Sequence, residues 1–394
     1  MIEIVAISVL AFLHDPPKPP PGAEPPPELT THSILGPVDS LTSSREFVKA
    51  GESYISPDGT KVIFQAIPVP PEGEEAEDYY GMYLADVIED DTKHHGMALS
   101  NIQRISPEGS SNTCGWFHPS DDRRVIFAST IEGSGSKGKS GYQRQSSRYS
   151  WSMPPEMRIV ECRIDGSMPP SLRLLEGDES GYQAECSISP DGRHLLYASN
   201  EEGDVDIYVR DLKTKKRHRI VSAEGYDGGP FFSPDGRRIC YRSDRKGNDL
   251  LQIFVAELKF DDEGTITGIE DEFQLTDNEH VNWAPFWHAD GKYLVYATSE
   301  EGHYNYEVFI IDADPGDPAK GHPASYGTRR ARVTHAMRFD GLPAFDAESN
   351  HMIWTSQRDD GTSQLVISRF PDDPEDFFME EEDHDEEDHD EEEH

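Results

Sequence analysis

Gly229-Pro230-Phe231-Phe232-Ser233-Pro234-Asp235-Gly236-Arg237-Arg238-Ile239-Cys240-Tyr241-Arg242-Ser243 decides the fold of this chain. Aromatic residues lead into Ser-Pro-Asp-Gly, and a β-branched and aromatic run leads out of it. Proline presets φ at one turn position and glycine supplies the positive φ that a tight hairpin requires, so the stretch reads as two antiparallel strands about one turn. A second turn follows at Asp244–Asn248, and Leu251–Leu258 then alternates apolar residues as a half-buried strand does. After a polar loop, Glu272–Thr276 supplies a fourth strand. One unit is therefore four short strands: inner, second, third and outer.

The same turn recurs at Ser56–Gly59 and Ser189–Gly192, with degenerate copies at His118–Asp121, His288–Gly291 and Asp346–Ser349. Each is followed by an apolar run: Val62–Ala66, Arg124–Ser129, Leu195–Ser199, Ile239–Ser243, Tyr293–Thr298 and Met352–Ser356. Third strands are expected at Met82–Val87, Glu156–Ile164, Asp206–Leu212, Leu251–Leu258, Glu307–Asp312 and Gln364–Phe370. Outer strands are expected at Ile102–Ser106, Leu172–Leu175, His218–Ser222, Glu272–Thr276 and Ala331–Thr334. The last unit lacks an outer strand. Val38-Asp39-Ser40-Leu41-Thr42, ahead of the first inner strand, resembles Phe273-Gln274-Leu275-Thr276 and fills that gap. A strand borrowed from the other end of the array argues for a closed ring over an open β-solenoid. The expected fold is all-β, a six-bladed β-propeller of four-stranded antiparallel blades, closed by an N-terminal strand completing the last blade.

These units resemble the PD40, or WD40-like, repeats of the TolB-like propeller family, with the Ser-Pro-Asp-Gly turns as the shared motif. The resemblance covers about residues 38–370. Relatives include the periplasmic TolB component of a cell-envelope system, the propeller halves of prolyl-oligopeptidase-like enzymes, and oligogalacturonate lyases. The likeness thus implies the fold and leaves binding module and enzyme both open. His118, His288 and Asp346 depart from the motif where the other copies have Ser, so wider turns are expected there.

The net charge of −40 disfavours nucleic acid, whose phosphates it repels, and suits cations or a basic partner. Four cysteines fall in expected strands. Cys114 and Cys186 stand near the starts of two inner strands, but their offsets from the turn differ by one, which turns their side chains to opposite faces and favours buried free thiols over a disulfide.

Residues 1–37 divide into an apolar stretch, Ile4–Leu13, and a spacer, Pro16–Glu28, with eight prolines in thirteen residues. The apolar stretch has the length of a signal-peptide core, though Glu3 stands where a basic residue belongs. It is too short to span a bilayer. A periplasmic or secreted location is expected, with a cytoplasmic one as the alternative. The spacer is expected to be extended polyproline-type chain. Residues 371–394 carry sixteen carboxylates and no Lys or Arg, a composition expected to be disordered. His384, His389 and His394 recur there at five-residue spacing and are candidates for loose binding of Ca²⁺ or another divalent cation; a solvated anionic bristle is the simpler reading.

Two loops break the pattern. Ile67–Tyr80 is Pro- and Glu-rich, and Ile131–Met153 carries Lys137, Lys139, Arg144 and Arg148 with Tyr149 and Trp151. A basic, aromatic loop on an acidic protein is a candidate partner contact, or a patch lying on the protein's own acidic surface.

Aligned on the Pro position of the turns, Asn112, Gln183, Asp227, Asn282 and Asp340 stand seven residues upstream, and Glu52, Cys114 and Glu185 two residues further on. A ring of amides and carboxylates where inner strands begin is a candidate ligand or cation site at the channel mouth. Capping of the entry turns is the structural alternative. Phe117, Phe232, Trp287 and Phe345 are expected between blades. No nucleophile elbow or His-Glu-x-x-His is present. The expected function is a non-catalytic binding scaffold, monomeric and without a transmembrane span, for a protein segment or cell-envelope polymer. The alternative is a metal-dependent hydrolase or lyase acting on an anionic or sugar substrate in the funnel.

Overall fold

A computed structural model describes residues 34–132, 153–164, 166, 170–175 and 181–379. Six four-stranded antiparallel sheets form the blades of a propeller. The inner strands, numbered here as blades 1 to 6, are Phe47–Ile55, Asn112–His118, Gln183–Ile188, Asp227–Phe232, Asn282–Trp287 and Asp340–Phe345. Second and third strands follow in order within each blade, as expected. Side chains on both faces of a blade meet a neighbouring blade, which is why a second strand such as His194–Ser199 is buried at every residue. Between blades 3 and 4, Leu196, Ile207 and Val209 pack on Ile239, Tyr241 and Phe254.

The last blade has the order Asp39–Ser40, Gln364–Arg369, His351–Ser356, Asp340–Phe345, so the N-terminal strand is its rim. Asp39 pairs with Ile367 and Ser40 with Val366. Thr42 donates its hydroxyl to Gln364 Oε1 at 2.8 Å and accepts the Leu365 N–H at 2.9 Å. Blade 1 grips the same strand: Asp39 takes the His95 N–H at 2.9 Å and lies 3.0 Å from His94 Nδ1. The two adjacent histidines, which have no obvious partner in the sequence, thus fasten the closure.

A second closure repeats around the ring. The residue seven before the turn's Pro position sends its N–H to the carbonyl just before the third strand of the preceding blade. Asp227 to Val205 (2.7 Å), Asn282 to Leu251 (2.9 Å) and Asp340 to Tyr306 (2.8 Å) are three instances. Ala50 to Ser363 (2.8 Å) is the same bond made from blade 1 to blade 6.

Outer strands start earlier than expected in blades 1 and 4, at Met97 and Ile266. In blade 4 the cause is a tight hairpin at Asp261–Thr265, where Gly264 adopts φ 75° and Asp261 N–H bonds to the Thr265 carbonyl at 2.9 Å. The polar residues that follow mask the strand. The acidic segment expected to be disordered from Pro371 folds back over its first nine residues. Phe377 and Phe378 are buried in the cluster containing Tyr293, Phe345 and Phe370, each contributing about 2 kcal/mol by area. Glu375 accepts from Arg329 Nη1 at 2.6 Å and from the Tyr293 hydroxyl. All four cysteines are buried free thiols. Among the described residues no helix is long and apolar enough to cross a membrane.

Candidate functional site

The turns define one end of the central channel. In the three full copies the serine hydroxyl donates to the aspartate (2.5 to 2.6 Å) and accepts the N–H five residues after the serine, closing the hairpin. Histidine substitutes through its ring: His118 Nδ1 accepts the Ser120 N–H at 3.3 Å, and His288 Nδ1 lies 3.0 Å from Asp290 Oδ1. The turns expected to be wider are not. Gly291 N–H to His288 O (2.9 Å) and Ser349 N–H to Asp346 O (3.1 Å) keep the same loop, and His118 pairs directly with Asp121 in a narrower one.

Upstream of every turn lies a feature that period-two counting does not foresee. Five residues before the turn's Pro position, Glu52, Cys114, Glu185, Gly229, Ala284 and Leu342 all adopt positive φ, between 42° and 59°. The register shifts at each, so all six inner strands carry a β-bulge at the same place. A non-Gly residue in this conformation costs about 1–2 kcal/mol, so five of the six units bear strain to keep it. Regular alternation would put Glu52 and Glu185 on the same strand face as the residues two before them, and the bulge breaks that alternation.

Two residues past the bulge, Tyr54, Trp116, Phe231 and Phe286 meet on the axis. Tyr54 and Trp116 have ring centroids 5.1 Å apart, Trp116 and Phe231 5.4 Å, Phe231 and Phe286 5.3 Å, and Phe286 and Tyr54 6.0 Å. They come from blades 1, 2, 4 and 5, which stand opposite one another, so the four rings plug the channel. On the turn side of this plug is a funnel of about 250 Å³. Its wall is Phe117, Ile188, Phe232, Trp287 and Phe345, and its rim is Pro57, Pro119, Pro190, Pro234, Ala289 and Ala347, the second residue of all six turns. The aromatic residues expected between blades are there, and they wall the funnel as well.

On the other side of the plug the axis is charged. Glu185 receives the Tyr226 hydroxyl at 2.7 Å and the Gly229 N–H at 2.5 Å, and lies 3.4 Å from Arg242 Nη2. Arg242 reaches the axis from a second strand because Gly229 has no side chain: a Cβ there would stand 2.1 Å from Nη1. Glu52 is buried and accepts from Thr113 Oγ1 at 3.0 Å. Burial raises its pKa and the neighbouring Glu185 adds to this, against the hydrogen bonds from Cys114 and Thr113 and the charge of Arg242.

The entry ring lies deeper than a channel mouth. Asn112, Gln183, Asp227, Asn282 and Asp340 are all at most 1% exposed. Asn282 Nδ2 donates to Asn278 Oδ1 at 2.8 Å and Gln252 Oε1 at 3.2 Å; Asn112 Nδ2 donates to the Tyr80 carbonyl at 2.9 Å. Asp227 accepts the Ala223 N–H at 2.7 Å, and Asp340 pairs with Arg358 at 2.7 Å. These contacts tie four of the five side chains to a loop of their own blade or to the preceding blade; the buried Gln183 amide makes no hydrogen bond among the described residues. Among the described residues no group of three or more His, Cys, Asp or Glu side chains converges as a metal site. Lys137, Lys139, Arg144, Arg148, Tyr149 and Trp151, like His384, His389 and His394, lie outside the described residues.

The repeats have known counterparts. A family model described as PD40, TolB beta propeller domain, matches residues 173–317, from the outer strand of blade 2 into the segment after the third strand of blade 5. Over those residues the chain matches PD40 repeats, and the six-bladed ring as a whole is similar in fold to TolB-like propellers. Among solved structures, one described as a TolB from Agrobacterium tumefaciens is 16% identical over 85% of this chain and 97% of its own, with a TM-score of 0.50. TolB from Acinetobacter baumannii is 16% identical over 79% of this chain, with a TM-score of 0.49, and the present chain spans 64% of that protein. An oligogalacturonate lyase from Vibrio parahaemolyticus is 11% identical over 85% of this chain and 94% of its own, with a TM-score of 0.44. No curated protein matches the sequence. At such identities the likeness speaks for the TolB-like fold alone.

Proposed function

We propose that this TolB-like propeller is a non-catalytic binding module that receives an apolar segment of a partner protein in the turn-side funnel. One observation carries the reading: the channel is stopped by four aromatic rings, leaving a preformed apolar concavity rimmed by four prolines and two alanines. Exposed concave apolar surface on a strongly charged protein marks an interaction site. The funnel offers little for reaction chemistry. Its polar lining is Ser233, Asp346 and Ser349, and the two hydroxyls are engaged in turn hydrogen bonds. A location in the cell envelope or outside the cell fits the TolB-like repeats and the apolar stretch Ile4–Leu13; subcellular fractionation tests it. For the funnel, an array of 15-residue peptides is probed with wild type and with Trp116→Ala. Peptides with a bulky apolar centre are expected to bind wild type and to weaken about tenfold or more on the variant, as for a central aromatic anchor. Equal binding by both proteins refutes the funnel as the site.

A further inference from the structure

The second residue of each turn lines the funnel, so the third stands on its rim. In four of the six turns it is an aspartate: Asp58, Asp191, Asp235 and Asp290. A fifth turn has Glu348 there, followed by the same left-handed residue, Ser349 at φ 58°. All five acids are exposed. The turn itself keeps the aspartates ionised. For Asp58 the Ser56 hydroxyl bond is the chief cause of a lowered pKa; for Asp191 and Asp235 burial opposes the shift, and the bonds from Ser189 and Ser233 prevail. Asp290 is likewise lowered, by His288 and the Lys292 N–H against burial.

Three of the basic residues nearby are engaged elsewhere, whereas Arg237 and Lys292 act on Asp235 and Asp290. Arg193 is bound to Asp211 at 2.7 Å and Lys61 to Asp86 at 2.5 Å. Arg238 donates to the Gly291 and Ala313 carbonyls, both at 2.7 Å, behind the wall residue Trp287. Arg123, Arg237 and Lys292 are exposed at the starts of second strands, one strand further from the axis. An apolar well is thus encircled by a carboxylate ring.

Resting on the reading of the funnel as a partner site, we infer that its occupant is a polypeptide loop or terminus with one or two bulky apolar side chains at its tip and Lys or Arg on either side. The volume of about 250 Å³ is below the usual range for a small-molecule pocket and holds one or two side chains. Apolar walls take the tip, and the acidic ring attracts and orients the flanking cations. The same ring repels the phosphates of lipid headgroups and of nucleic acids. A sugar polymer would find few hydrogen-bonding groups in the well.

The test uses the full-length chain and three synthetic peptides, Gly-X-X-Phe-Leu-X-X-Gly with X as Lys, Gln or Glu, measured by isothermal titration calorimetry. The proteins are wild type, Trp116→Ala, and the triple variant Asp58→Asn, Asp235→Asn, Asp290→Asn, whose amides keep an acceptor for the turn; its melting curve reports folding. The Lys peptide is expected to bind about tenfold tighter than the Gln peptide, and the Glu peptide weakest, with the gap closing at molar salt where the Debye length is about 3 Å. In the triple variant the Lys preference is expected to fall below about threefold while the Gln peptide binds as before. Equal binding of Lys and Gln peptides overturns the inference and leaves the funnel standing. A Lys preference that survives the triple variant also overturns it, because the attraction then comes from the −40 net charge at large. Peptide binding that is unchanged by Trp116→Ala removes the funnel reading itself.

Discussion

The two ends of the channel are built from the same six strands, yet they spend their side chains differently. At the entry end, polar residues are buried and turned onto neighbouring blades, loops and an axial ion pair. At the turn end, serine and aspartate satisfy the hairpins locally, and what remains facing the axis is proline and aromatic. Polar groups that hold blades together are lost to ligands; turns that satisfy themselves leave a surface free. Substitutions at the entry end should therefore cost stability, and substitutions at the turn end should cost binding.

The largest expected effect is Arg242→Ala. It strands Glu185 in a buried setting without its cation, and breaking such a pair costs about 3–5 kcal/mol. Urea unfolding measures it; a loss under about 1 kcal/mol, several-fold below a buried pair's expected cost, would dissolve the contrast between the two ends. Gly229→Ala follows. Its Cβ would meet the same guanidinium and its backbone is left-handed, so a loss of about 2–3 kcal/mol is expected in the same assay.

Glu52 sharpens the comparison through pH. Its folded-state pKa is raised, so the folded chain holds that proton more tightly than the unfolded one. The stability linked to this group is complete below the unfolded value and declines as pH rises through the folded value. Glu52→Gln should flatten the stability profile on the alkaline side and change little in acid, read from denaturation midpoints across pH. Glu307, whose carboxyl burial pushes up to about 9 with Asp340 adding to it, belongs to the same end. Glu307→Gln should cost little at neutral pH, because burial disfavours the charged carboxylate and the amide oxygen can keep the bond from Arg332. The smallest effect falls at the turn end. Asp235→Asn in a surface turn should cost less than about 1 kcal/mol by thermal melting; a larger loss would show that the rim aspartates carry the fold.

Much of this architecture can be read from residues. The Ser-Pro-Asp-Gly turns announce the unit, and the likeness of Val38–Thr42 to Phe273–Thr276 locates the missing strand. The bulge cannot be read, because Glu52, Cys114, Glu185, Ala284 and Leu342 are not residues that signal left-handed backbone, and strict alternation misplaces everything beyond them. Aromatic residues three before the turn position in four of six units were a visible signal for the plug. Their convergence depends on that bulge. The entry ring was visible as a pattern, but its burial was not, since a carboxylate at a turn and one at a channel mouth look alike in sequence. The fold-back of Phe377 and Phe378 is hidden among acids whose composition argues for disorder.

The account depends most on the four rings that stop the channel. A crystal structure with density along the propeller axis tests it directly. Tyr54, Trp116, Phe231 and Phe286 are expected in mutual contact, with the six bulge residues left-handed. Rings splayed against the walls around a continuous column of water would contradict it.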